Sequence, residues 1–164
     1  MKISLTLAFV AIILLFLNQV ASAQQLQMPQ QGTTTYVTYY HIRILTKLNM
    51  GDVGSEDLRE LVGITRNTDG QKFFDGMAVR CIGYAETLGK VADTNGACVE
   101  TDSDGDKVFT TFKGGSVRLH TLVGGTGKYK GISGTAAYTG KPLPSPGEGY
   151  LAAIVEHKVT WQFK

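Results

Sequence analysis

The sequence predicts an all-β chain whose strands follow one another as an antiparallel meander and close into an eight-stranded β-barrel. Three observations carry this. Segments rich in Val, Ile, Tyr and Thr recur at short spacing with little helical period. Glycines, 20 in 164 residues, stand at almost every junction between them. The last segment alternates strictly, with Leu151, Ala153, Val155, His157, Val159, Trp161 and Phe163 on one face and Ala152, Ile154, Glu156, Lys158, Thr160, Gln162 and Lys164 on the other. Such a strand has one side on a core and one toward water. A sandwich is the competing architecture; a barrel is preferred because closure removes exposed strand edges.

In chain order, Lys2 and the apolar run Ile3 to Leu17 precede Ala21-Ser22-Ala23, a small-x-small cleavage pattern. Residues 1–23 read as a secretory signal peptide. An uncleaved anchor is the alternative, but the run is short for a bilayer span of about 20 residues. Residues 24–32, "QQLQMPQQG", read as a flexible Gln-rich tail, and 33–164 as one barrel domain. The first strand, "TYVTYYHIRILTKL", puts Tyr36, Tyr40, Ile42, Ile44 and Leu48 on one face and His41, Arg43 and Lys47 on the other. "GDVGSEDLRE", Gly51 to Glu60, reads as a loop with at most a helical turn. "ELVGITRN" is the second strand, closed by "NTDGQ". A long strand "KFFDGMAVRCIGYAET" follows, then "GACVET", "KVFTTF", "SVRLHTLV" and "GISGTAAYT". "KPLPSPGEG", Lys141 to Gly149, holds three of the four prolines and reads as an exposed loop.

The two cysteines, Cys81 and Cys98, lie in the exported part. There a pair is most simply a disulfide; free thiols or a metal pair are the alternatives, and the spacing fits no zinc pattern. A two-residue type II′ turn at Gly89-Lys90 sets Cys81 opposite Cys98, because opposed residues of a hairpin keep a constant sum. The polar "DTNG", Asp93 to Gly96, allows a longer and looser turn.

The glycine-rich run "LVGGTGKYKGISG", Leu122 to Gly134, invites a phosphate-loop reading and fails it. Tyr129 follows Gly127-Lys128 where a hydroxyl residue is needed, and Leu122 stands where the first glycine belongs. A β pattern follows, so no helix N-terminus is offered to a phosphate. The run reads instead as a strand corner built on Gly124, Gly125, Gly127 and Gly131, with Tyr129 folding in as an aromatic plug.

"VGGTGKYKGISGTAAY" resembles the strand-corner-strand signature of the allene oxide cyclase and dirigent superfamily. With "VRCIGYAET" and "GACVETDSDGDKVF" before it, the chain is similar to small secreted bacterial proteins with an allene oxide cyclase-like barrel. The match is good over roughly Met77 to Tyr138. It implies an eight-stranded antiparallel barrel, allene oxide cyclase-like or calycin-like, with an apolar interior, and a dimer or trimer as in the plant families. It also implies apolar or phenolic substrates handled without a cofactor. The catalytic residues of those families find no residue-by-residue match here, so the resemblance transmits the fold and not the activity.

"TDSDGDK" alternates Asp102, Asp104 and Asp106, which in an extended segment share a side and offer oxygen ligands to Ca²⁺. Lys107 and Lys113 stand where an EF-hand needs Gly and Glu, and a solvated acidic turn is the simpler reading. Of the three histidines, His41 and His120 lie beside Arg43 and Arg118, whereas His157 shares the apolar face with Val155, Val159 and Trp161. His157 is therefore either a half-buried core histidine or a pocket group for acid–base work, and Tyr138 and Trp161 are its candidate neighbours in a ligand pocket. No nucleophile elbow or paired-carboxylate pattern is present.

A net charge of +2 without a basic stripe speaks against nucleic acid, and no second apolar run speaks for membrane contact after cleavage. The sequence thus points to a secreted or periplasmic barrel, without a cofactor, that binds a small apolar molecule or a protein partner. A cofactor-independent isomerase or steering protein is the alternative, and a Ca²⁺-stabilised envelope protein the third. An enzyme would gather several polar side chains at the barrel mouth or deep inside it.

Overall fold

In the computed structural model, which describes residues 28–164, eight strands run in order around a closed barrel. They are β1 (Gln31–Asn49), β2 (Gly54–Asn67), β3 (Ala78–Leu88), β4 (Val91–Thr101), β5 (Lys107–Lys113), β6 (Leu119–Gly125), β7 (Ile132–Leu143) and β8 (Tyr150–Phe163). Each pairs antiparallel with the next, and β8 returns to β1 with Tyr36 opposite His157. Residues 1–27, which hold the expected signal peptide and the first residues of the expected tail, lie outside the described residues. Because the topology is a meander, connections alternate between two ends. One end, the floor, holds 68–77, 102–106, 126–131 and the C-terminus; the other, the mouth, holds 50–53, 89–90, 114–118 and 144–149.

Several boundaries differ from the sequence expectation, each for a local reason. Gln31 and Gly32 of the expected tail already pair with Gln162 and Trp161, and Pro29 O accepts the Trp161 indole N–H at 3.4 Å. A Cβ at Gly32 would run into that indole, so glycine is what lets β1 begin there. Only Gly51–Val53 of the expected 51–60 loop is a turn; β2 starts at Gly54. Its hydrophobic period is hidden because Asp57 and Arg59 point inward and pair with each other, Nε to Oδ1 at 2.5 Å and Nη2 to Oδ2 at 2.6 Å. A bulge between Ile44 and Thr46 turns β1 over, so Leu48, expected on the core face, is 61% exposed. The segment "KFFDGM" is a loop rather than strand, β6 begins at Leu119, and Lys141 to Leu143 continue β7.

The interior is layered. At the floor, Tyr36, Phe73, Phe74, Met77, Tyr129 and Trp161 belong to one apolar cluster; Phe73 and Phe74 enter from the 68–77 loop, and Phe74 stacks on Tyr36 at 4.7 Å. Nearer the mouth, Tyr40, Ile42, Val79, Phe112 and the cysteines form a second cluster. Cys81 and Cys98 are opposed and disulfide-bonded, and Leu88 opposite Val91 confirms the two-residue turn at Gly89-Lys90. Asp93 to Gly96 is strand, not turn.

The glycine corner and the acidic turn lock together beneath the floor. Tyr129 is buried, and its hydroxyl donates to Asp102 Oδ2 at 2.9 Å. Lys128 Nζ lies 2.6 Å from Asp102 Oδ2 and 2.5 Å from Asp104 Oδ2, and the Lys128 backbone N–H donates to Asp106 Oδ2 at 3.1 Å. Burial alone would push the Asp102 carboxyl up; Lys128 and Tyr129 more than offset it and hold it below the usual carboxylate range. Gly127 has φ +51°, and a Cβ there would collide with the Asp106 carboxylate. Gly127→Ala is expected to destabilise the barrel by about 2 kcal/mol, read from chemical denaturation, through strain and the loss of this latch. An unchanged midpoint would contradict the latch.

Candidate functional site

The mouth half of the barrel holds a half-open cavity of about 150 Å³. Tyr40, Ile42, Leu61, Phe112, Val155 and the disulfide supply its apolar wall, while Arg59, Thr94, His120 and Tyr138 supply its polar points. Tyr138 is held by its hydroxyl, which donates to the Lys113 carbonyl at 2.9 Å. A larger, shallower groove of about 450 Å³ lies on the outer wall between Thr33, Thr135 and Thr160. It is lined by neutral residues only, so the chemistry concentrates in the smaller, inner cavity.

Beneath the cavity, between the two apolar clusters, sits a polar layer. His120 and His157 meet edge to face at 5.1 Å, and His157 stacks on Tyr36 at 4.4 Å. Thr110 Oγ1 lies 3.3 Å from His120 Nδ1. Glu100 points inward from β4 and is 2% exposed. Burial pushes the Glu100 carboxyl up to about 8, so it holds its proton at neutral pH. Burial likewise pulls His120 down to about 4 and, with the neighbouring His120, His157 down to about 3. Burial, and then Glu100, raises the Tyr36 and Tyr40 hydroxyls. The interior is therefore electrically neutral at pH 7 yet rich in hydrogen-bonding groups.

The residues singled out in the sequence separate accordingly. Tyr138 lines the cavity, and His157 lies in the layer below it. Trp161 does not join them: it is in the floor cluster, 4.3 Å from Phe73, because it lies four residues beyond His157 toward the sealed end. Asp102, Asp104 and Asp106 sit outside the floor, engaged by Lys128, Tyr129 and backbone N–H groups. Among the described residues no three His, Cys, Asp or Glu side chains converge in a metal-holding arrangement. Glu100, His120, Thr38, Tyr40 and Arg59 were not expected at the site. Glu100 and Cys98 have the same strand parity, so an inward disulfide already turned Glu100 inward; Arg59 gave no such signal.

Fold and site together define a closed eight-stranded barrel, sealed by aromatic side chains at one end and holding a small cavity over a buried polar layer at the other. No family model and no curated protein matches the chain. Among solved structures it is similar to the pterocarpan synthase dirigent protein GePTS1, with a TM-score of 0.50 and 14% identity over 82% of this chain and 93% of that one. The pterocarpan synthase dirigent protein PsPTS1 aligns with a TM-score of 0.49 and 14% identity over 82% of this chain and 97% of that one. At this identity the likeness is one of fold.

Proposed function

We propose that the protein is an exported barrel that binds a small, largely apolar molecule in the mouth cavity. The observation that carries this is a concave, mostly apolar wall interrupted by few polar groups, the usual make-up of a small-molecule site. Its volume sets the size: an apolar cavity of about 150 Å³ accepts a single aromatic ring. The buried disulfide supports an oxidising compartment.

A second reading, in which the bound molecule is steered or isomerised without a cofactor, is favoured by the ionisable groups gathered under the cavity. Their environments push Glu100 and the two histidines in opposite directions, the pattern of an acid kept protonated beside bases kept neutral. The fold likeness to a dirigent protein points the same way by analogy only.

Filling the cavity tests the binding reading. Fluorobenzene followed by ¹⁹F NMR is expected to show saturable binding to the wild type. Val155→Phe, which inserts a ring into the cavity wall, is expected to weaken that binding at least about tenfold while the protein still melts cooperatively. No saturable binding by the wild type would overturn the proposal.

A further inference from the structure

Tyr40 and His120 line the cavity, and packed behind these rings are buried polar atoms that lack a well-formed hydrogen bond within the protein. Thr38 Oγ1, Glu100 Oε2 and both ring nitrogens of His157 are buried in this state. They come from β1, β4 and β8 and all face the barrel interior. Native interiors pair nearly all such groups, because each one left unpaired keeps the cost of its lost hydration. The layer is contiguous with the cavity through two rings. His120 lines the cavity and sets its edge on His157 at 5.1 Å; Tyr40 lines it and follows Thr38 on the same face of β1.

We propose that Thr38, Glu100 and His157 form the deep end of the ligand site, and that the ligand enters with a neutral hydrogen-bonding group, a hydroxyl or an un-ionised acid, ahead of its apolar ring. This rests on the cavity reading above and adds a chemical class to it. Among the described residues Arg59 is the single Lys or Arg side chain lining the cavity, and Asp57 already holds it on the mouth side of Leu61. A ligand anion at the deep end would meet no cation, and burying an unpaired charge is costly. With Glu100 protonated and both histidines neutral, the layer presents O–H and N–H donors beside carbonyl and imidazole acceptors. A hydroxyl donates and accepts, so it satisfies either imidazole tautomer; a carboxylate can only accept.

Calorimetric titration with ethylbenzene and benzyl alcohol, molecules of nearly equal shape, tests this on the wild type and on Thr38→Val. Thr38→Val keeps the size and branching of the side chain and gives up only the hydroxyl, which lies toward Tyr40, so the variant is expected to fold. Benzyl alcohol is expected to bind the wild type at least as tightly as ethylbenzene, and the variant about tenfold more weakly, with ethylbenzene unchanged. Tight ethylbenzene binding with benzyl alcohol at least about tenfold weaker in the wild type overturns the deep-end proposal and leaves the cavity reading standing. Equal loss of both ligands in Thr38→Val overturns it too, as does benzoate binding equally at pH 6 and pH 9. Saturable binding of neither hydrocarbon nor alcohol overturns both readings together.

Discussion

Glu100→Gln is expected to remove the decline in stability that the wild type shows as pH rises from about 4.5 to 8, so that the variant is the more stable protein at pH 9 while the two match near pH 4. The sign follows from proton linkage. The Glu100 carboxyl titrates near 8 in the fold against 4.5 ordinarily, so between these values the folded chain keeps a proton that the unfolded chain releases. Stability from this group is complete below about pH 4.5 and is lost as pH rises through 8. The full shift corresponds to at most about 5 kcal/mol at roughly 1.4 kcal/mol per pKa unit. The histidines act in the other direction. His120 and His157 titrate near 4 and 3 in the fold against 6.5 ordinarily, so acid protonates the unfolded chain first. Stability therefore also falls as pH drops below 6.5, and the wild type is most stable near pH 6.5. Denaturant midpoints measured from pH 4 to pH 9 check both limbs. A wild-type alkaline limb that survives unchanged in Glu100→Gln would show that Glu100 is not the buried acid described here.

Replacing both cysteines by alanine is expected to cost about 3 kcal/mol and to lower the melting temperature by about 10 °C. The bridge closes a loop with a sequence separation of 17 and adds its sulfurs to the mouth-side cluster. Serine in place of alanine should cost more, because two hydroxyls would then sit in that apolar wall without partners. The sulfurs are buried, Cys81 1% and Cys98 3% exposed, so a reductant should act on the native protein only as fast as it opens. A double alanine variant that melts within about 2 °C of the wild type would mean that register and packing alone hold β3 to β4.

Much of the fold was legible because it rests on local rules. The alternation in β8 predicted which side chains face inward, and His157, Val159 and Trp161 are buried as expected. The constant sum of a Gly-first turn put Cys81 opposite Cys98. The glycine corner was legible as a corner and the acidic segment as a turn, but not that the two lock together. Asp102, Asp104 and Asp106 invite a cation by their spacing, and the cation they meet is Lys128, from a segment more than twenty residues away.

The site was less legible, because its residues violate the pattern that reveals strands. Asp57 and Arg59 face inward where an apolar pair is expected, and they do so by neutralising each other. Glu100 is buried at a position whose sequence context, "CVETDSD", looks like the approach to an acidic turn. Phe73 and Phe74 extend a strand by composition, yet they plug the floor from a loop.

By itself, then, the sequence determined the strand period, the turn at Gly89-Lys90 and the need for glycine at the corner, since these depend on backbone conformation and on neighbours a few residues away. Only the tertiary structure decided that one end is sealed and the other hollow, and that Thr38, Glu100, His120 and His157 share one layer. That layer is assembled from β1, β4, β6 and β8, and its burial, which sets every shifted pKa in it, is a property of the closed barrel and of no single strand.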